Sequence, residues 1–131
     1  MCDLAVASDV ARFAVSGINV GLFCATPSVG LSRNMGRKEA FEMLVTGDFI
    51  DATEAQRRGL VNRVVPLDAL DDEVAKLTAS ICAKSPAAIA MGKQMFYKQL
   101  EMGLDGAYQT AGETMACNAM CEDAAEGMDA F

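Results

Sequence analysis

The 131-residue chain sets 18 Asp and Glu against 11 Lys and Arg, a net charge of −7, and contains no histidine. An acidic balance of this kind argues against nucleic acid as a main partner, because binding would need a basic face. The missing histidine removes Ser-His-Asp and Cys-His catalysis outright. Hydrophobic residues make up 52% of the chain and charged residues 22%, enough apolar material for the core of one domain and too little polar bias for disorder. No run approaches the roughly 18 apolar residues of a membrane helix, and the N-terminus lacks the basic region of a secretory or mitochondrial signal. Cys2, Cys24, Cys82, Cys117 and Cys121 are odd in number and fit neither a C-x-x-C nor a zinc spacing. They read as reduced thiols of an intracellular protein, with no metal site; Cys117 and Cys121, four apart, would share a helix face.

In chain order, Asp3 to Ser8 and Arg12 to Val15 read as strands separated by a turn at Ser8-Asp9. Gly17 to Gly21 is a turn, Leu22-Phe23-Cys24 is apolar, and Ser28 is placed to cap a helix over 28–35. A second helix over 37–46 presents Phe41, Met43, Leu44 and Val45, and Gly47 stands where a left-handed C-cap is wanted. Phe49 and Ile50 are extended. Asp51 caps a short helix in a D-x-x-E box with Glu54, and Gly59 ends it behind Arg57 and Arg58. Leu60 to Val65 forms a β-rich run stopped by Pro66. Residues 3–35 and 43–65 thus loosely repeat a strand, strand, helix order.

From Leu67 the chain is helical. Leu70, Val74, Leu77 and Ile81 share one helix face, behind an acidic first turn at Asp71, Asp72 and Glu73. Ser85-Pro86 restarts a helix with a cap and an N1 proline; Ile89, Phe96 and Leu100 line one side of it, and Gly103 closes it. A third helix runs over 104–121. Asp123 and Glu126 form another D-x-x-E cap for a helix that is cut off at Phe131. A chain that opens inside a strand and stops inside a helix is expected to be a fragment.

The stretch Phe41 to Pro66 carries L-x-T-G-x-x-I-x-A-x-E-A-x-x-x-G-L-V-x-x-V-V-P, from Leu44, Thr46 and Gly47 through Glu54, Ala55 and Gly59 to Val64, Val65 and Pro66. This ordered pattern resembles the second half of the enoyl-CoA hydratase/isomerase (crotonase) family. Met1-Cys2-Asp3, the Gly17 to Cys24 segment G-x-N-V-G-L-F-C and Glu126 to Phe131 extend the resemblance over nearly the whole chain. Among family members it is nearest the hydratase-domain-containing proteins. The resemblance implies an α/β fold: the C-terminal part of a crotonase-like β-β-α spiral at 1–66, then a helical trimerisation region at 67–131, truncated at its end. It implies a homo-oligomer, a trimer or hexamer, and fatty acyl-CoA thioesters as ligands, with coenzyme A present only as part of the substrate. Localisation would be intracellular: the mitochondrial matrix for a full-length eukaryotic protein, otherwise the cytoplasm.

Family hydratases, which are lyases, polarise the thioester carbonyl with two backbone N–H groups and handle water and its protons with two glutamates. By this resemblance the oxyanion donors and first glutamate fall upstream of Met1, and the second glutamate falls at Gly17. No catalytic residue is therefore matched. Gly17 is either the mark of different or absent chemistry, with room left where a carboxylate would be, or a glycine required by its turn. Ser16 and Asn19 flank it and could hydrogen-bond a substrate, or serve the turn instead. Leu22, Phe23 and Pro27 match the acyl-pocket positions, or pack in the core. Asp48, Asp51 and Glu54 form an acidic cluster that capping mostly explains. Lys93 and Lys98 could meet a phosphate, and Tyr97 and Tyr108 a thioester. Six methionines, Met91, Met95, Met102, Met115, Met120 and Met128, suit adaptable packing between subunits. Three functions stay open: an acyl-CoA enzyme, a non-catalytic acyl-CoA or partner binder, and a helical assembly module.

Overall fold

Two kinds of segment make up the chain, short strands interleaved with helices and then helices alone. The computed structural model describes residues 2–130. Its elements are β1 (Val6–Ser8), β2 (Arg12–Phe13), a 3-10 helix (Ser16–Val20), α1 (Ala25–Leu31), α2 (Arg37–Thr46), β3 (Ile50–Asp51), α3 (Ala52–Arg57), β4 (Arg63–Val65), a 3-10 turn (Leu67–Ala69), α4 (Leu70–Cys82), α5 (Pro86–Gln99), α6 (Leu104–Ala119) and α7 (Glu122–Ala130). They fall into two compact units, Met1–Lys76 and Leu77–Phe131.

In the first unit, β1 pairs parallel with β4, Val6 opposite Arg63 and Ser8 opposite Val65. Asn62 extends this ladder, its N–H donating to the Ala5 carbonyl at 2.8 Å while its Oδ1 accepts from the Ala5 N–H at 2.8 Å. β2 pairs antiparallel with β3, Phe13 opposite Ile50. The second stretch therefore runs strand, helix, strand and not the expected strand, strand, helix, because Asp51 starts α3 immediately after β3. The expected strands at 3–8 and 12–15 are shorter, Val6–Ser8 and Arg12–Phe13.

Two buried clusters hold this unit. One is Leu31, Met35, Ala40, Met43 and Leu44; the other is Ala7, Ala52, Ala55 and Val61; Ile50 and Leu60 pack against both. Alanines at four of these positions let backbones approach closely, so the clusters are narrow. Phe41 and Val45 do not join them as expected; they are 60% and 44% exposed. The face of α2 that turns inward is Ala40, Met43 and Leu44, spaced at three and four residues.

Several local signals act as read. Gly47 caps α2 at φ 68°, its N–H donating to the Met43 carbonyl at 3.1 Å. Asp51 Oδ1 accepts from the Glu54 N–H at 2.7 Å. Ser85 Oγ accepts from the Ala88 N–H at 3.2 Å, with Pro86 in the first turn of α5. Others are reassigned. Ser28 lies inside α1, not before it, and donates from Oγ to the Ala25 carbonyl at 2.6 Å. The helix starts earlier because Pro27 sits in its first turn, where a missing N–H leaves nothing unsatisfied. Gly103 precedes α6 and does not close α5, which ends at Gln99. Asp123 falls within the first turn of α7 and accepts from Ser85 Oγ at 2.6 Å, tying the starts of α5 and α7 together.

In the second unit α5 packs on α6 and α6 on α7. The sheltered side of α5 is Ala88, Met91, Gly92 and Met95. Ile89, Phe96 and Leu100, expected to line it, are 42%, 52% and 58% exposed. Ala88 and Gly92 let the helices meet beside Met91 and Met95, and the branched and aromatic side chains stay outside.

Candidate functional site

The 16–24 segment is built from backbone hydrogen bonds. The Leu22 N–H donates to the Gly17 carbonyl at 3.0 Å and the Gly21 N–H to the Ile18 carbonyl at 3.1 Å, with Gly21 at φ 80°. This folds residues 22–24 back across residue 17. Asn19 is drawn to the end of α2, its Nδ2 donating to the Gly47 carbonyl at 3.4 Å. Gly47 must lack a side chain for this: a Cβ there would stand 2.8 Å from both Ile18 Cγ2 and Asn19 Oδ1. Leu22 and Phe23 are 67% and 48% exposed, so this chain does not use them as core.

Gly17 has no open space beside it. A Cβ on Gly17 would lie 2.6 Å from Cys24 Sγ and 2.8 Å from the Leu22 carbonyl oxygen. The room expected for an absent carboxylate is taken up by the Cys24 thiol and the Leu22 carbonyl.

Next to this segment lies an open apolar cavity of about 600 Å³, lined by Phe13, Val15, Pro27, Leu31, Met43 and Leu60 with Arg12, Thr26 and Asn34 among its polar members. Of the six binding residues expected from sequence, Pro27 lines it; Ser16, Gly17, Asn19, Leu22 and Phe23 do not. Sequence reading missed Arg12, Phe13, Val15, Leu31, Met43 and Leu60. Their apolar character signals burial only, and nothing in the spacing says that β2, α1 and α2 converge around one space. Asn34 Nδ2 donates to the Gly30 carbonyl at 2.8 Å, and the Arg12 guanidinium sits 5.0 Å from the centre of the Phe49 ring.

The acidic cluster has a structural occupation. Glu54 does not return to Asp51 to complete a capping box; its carboxylate takes Arg57 Nε and Nη2 and Arg58 Nε, each at 2.6 Å. Arg57 also reaches Glu39 at 3.3 Å and Arg58 reaches Glu42 at 3.2 Å. Hydrogen bonds from the two guanidiniums hold the Glu54 carboxyl at about 2, well below the usual carboxylate range. A carboxylate so committed is a poor proton donor near neutral pH. Among the described residues, no three Cys, Asp or Glu side chains converge as a metal centre would need, and no helix is long and apolar enough to cross a membrane.

In the second unit, a cavity of about 420 Å³ is lined by Gly92, Met95, Thr114, Met115, Asn118 and Met128. Tyr97 stacks edge-on against Phe96 at 5.3 Å, and Tyr108 is 74% exposed.

The sequence profile described as Enoyl-CoA hydratase/isomerase matches residues 1–131, the whole chain. The chain belongs to the enoyl-CoA hydratase/isomerase family. It is 48% identical over 130 residues to the mitochondrial enoyl-CoA hydratase domain-containing protein 3 of Rattus norvegicus, covering 99% of this chain and 43% of the relative. A crystal structure of a Mycobacterium smegmatis enoyl-CoA hydratase superposes with a TM-score of 0.96 at 62% identity, over 99% of this chain and 51% of that one. Human enoyl-CoA hydratase domain-containing protein 3 superposes with a TM-score of 0.93 at 45% identity, over 99% and 51%. This hydratase/isomerase-family chain spans about half the length of the relatives it matches, corresponding to their C-terminal portion. It is a mixed α/β structure, mostly helical, that follows crotonase structures over that half.

Proposed function

We propose that the chain acts as the C-terminal part of a crotonase-type protein that binds fatty acyl-CoA thioesters, and that by itself it does not hydrate them. The observation that carries the reading is the family match over residues 1–131. The apolar cavity between β2, α1 and α2 supports it, since a thioester's alkyl chain gains by leaving water. Pro27 would then meet the ligand inside the cavity, while Ser16, Asn19, Leu22 and Phe23, which do not line it, would contact only parts of the ligand that extend beyond it. Lack of turnover follows from Gly17, which has no proton to give and no space for a side chain that could. In this reading residues 1–66 are the end of the β-β-α spiral and residues 67–131 the oligomerising helices. The compartment is intracellular, the matrix in a eukaryote and the cytoplasm in a bacterium; the eukaryotic relatives named mitochondrial support the first of these.

A calorimetric titration tests the binding claim. Dodecanoyl-CoA should bind and free CoA should bind more weakly; equal heats from both would remove the acyl cavity from the account.

A second reading, a subunit-assembly module, is favoured by one observation. Met115, Met120 and Met128 are 76%, 87% and 64% exposed on α6, the segment after it and α7. An apolar surface of this kind is a contact surface in most soluble proteins. Light scattering separates the two: a stable trimer or hexamer without CoA affinity supports assembly alone, and a monomer that binds the thioester removes it.

A further inference from the structure

The apolar cavity between β2, α1 and α2 carries one charge. Arg12 lines it, and every other lining residue among the described ones is uncharged. Arg57 and Arg58 are committed to Glu54, and Arg63 to Glu73. Arg12 has no such partner: among the described residues no carboxylate lies within ion-pair distance of it. The acidic residue best placed to neutralise it is Asp51, directly opposite on β3. That carboxylate instead accepts from the Glu54 N–H at 2.7 Å and caps α3.

The guanidinium is also held in place. Its central carbon lies over the Phe49 ring, 5.0 Å from the ring centre. The ring covers one flat face of the guanidinium, and the N–H donors, which lie in the guanidinium plane, stay available at its edge. Paired planar donors of this kind match the two oxygens of a carboxylate. Thr26 and Asn34, also polar and on the cavity wall, bring no charge, and the Asn34 amide already donates to the Gly30 carbonyl. A plain alkyl chain in the cavity leaves Arg12 unused. A chain that ends in an anion uses both the apolar wall and the charge.

We propose that the cavity takes an alkyl chain tipped by a carboxylate, and that Arg12 is the residue that selects it. For a thioester this means the acyl group of a dicarboxylic acid, with CoA at one end and a free carboxylate at the other. That substrate class rests on the acyl-CoA reading above; the anion-tipped chain does not.

The test measures dissociation constants of the whole chain for two matched pairs, hexanoyl-CoA against adipoyl-CoA and octan-1-ol against octanoate. Each is repeated with Arg12→Gln, a change at an exposed position that leaves the fold intact. Adipoyl-CoA should bind about fivefold tighter than hexanoyl-CoA, and octanoate should outbind octan-1-ol by a similar factor. In Arg12→Gln both preferences should reverse, because a carboxylate without a partner is disfavoured beside an apolar wall. Equal affinity for the two thioesters, unchanged by Arg12→Gln, overturns the proposal and leaves thioester binding intact. Free CoA weakened by Arg12→Gln as much as adipoyl-CoA also overturns it, since Arg12 would then read a CoA phosphate. Should neither thioester bind while octanoate is still preferred through Arg12, the acyl-CoA reading fails and the anion-tipped chain stands. Absence of binding in both pairs overturns both.

Discussion

Residues 1–76 and 77–131 are stabilised in opposite ways. The first unit contains every buried apolar side chain among the described residues, from Ala7 through Met43 and Leu44 to Val61. The second is the end of α4 followed by three helices with good local signals, and none of its described side chains is buried. Its large apolar groups, Ile89, Phe96, Leu100, Leu104 and Tyr108, look outward. One unit is specified by what it encloses; the other leaves its apolar surface available. Substitutions that remove volume should therefore hurt the first unit and hardly touch the second.

The largest difference is expected at methionine. Met43 is 2% exposed, and Met43→Ala should cost about 2–5 kcal/mol in urea unfolding through the cavity it leaves. Met120 is 87% exposed, and Met120→Ala should stay within about 0.5 kcal/mol. Equal losses would mean that the second unit has an unrecognised core, and the contrast would fail.

Glycine should separate the units by sign. Gly47→Ala meets both a positive φ of 68° and side-chain atoms at 2.8 Å, and should destabilise by more than about 1 kcal/mol. Gly112 lies inside α6 with nothing within 4 Å of an added Cβ, so Gly112→Ala should stabilise by about 0.5–1 kcal/mol. Thermal midpoints moving in the same direction would contradict this.

Caps should bring the two units level, because a cap acts locally wherever it sits. Asp51→Ala in the first unit and Ser85→Ala in the second should each cost about 1 kcal/mol. A much larger loss for Ser85→Ala would show that its bond to Asp123 at 2.6 Å carries the second unit.

The smallest effect is on the acid limb. The Glu54 carboxyl is lowered in the fold to about 2, from an ordinary value of about 4.5. Its contribution is complete above the unfolded value and is lost as pH falls from there towards about 2. Glu54→Gln should flatten stability across that window, modestly, because the ion pairs are solvent-facing. An unchanged acid slope would show that the pairs contribute nothing.

What was legible in the sequence follows the same division between local and tertiary causes. Gly47, Asp51 and Ser85-Pro86 could be read because a cap is decided within a few residues. The family could be read because the Leu44 to Pro66 pattern is long and ordered. The inward faces of α2 and α5 could not, since both helices carry apolar residues most of the way round and only the neighbour decides which are covered. Ser28 was misplaced for a related reason: a serine after a proline suits both a cap and a first turn. At the site, the missing side chain at 17 was visible, but the fold-back that brings Cys24 onto it depends on two backbone bonds that no spacing rule encodes. The cavity was hidden in the same way, assembled from β2, α1 and α2.

The most direct measurement is equilibrium dialysis of the chain against crotonyl-CoA, followed by chromatography of the recovered thioester. The account predicts that crotonyl-CoA is retained on the protein side and comes back unhydrated. Recovery of 3-hydroxybutyryl-CoA above the protein-free control, or an equal distribution of crotonyl-CoA across the membrane, would contradict it.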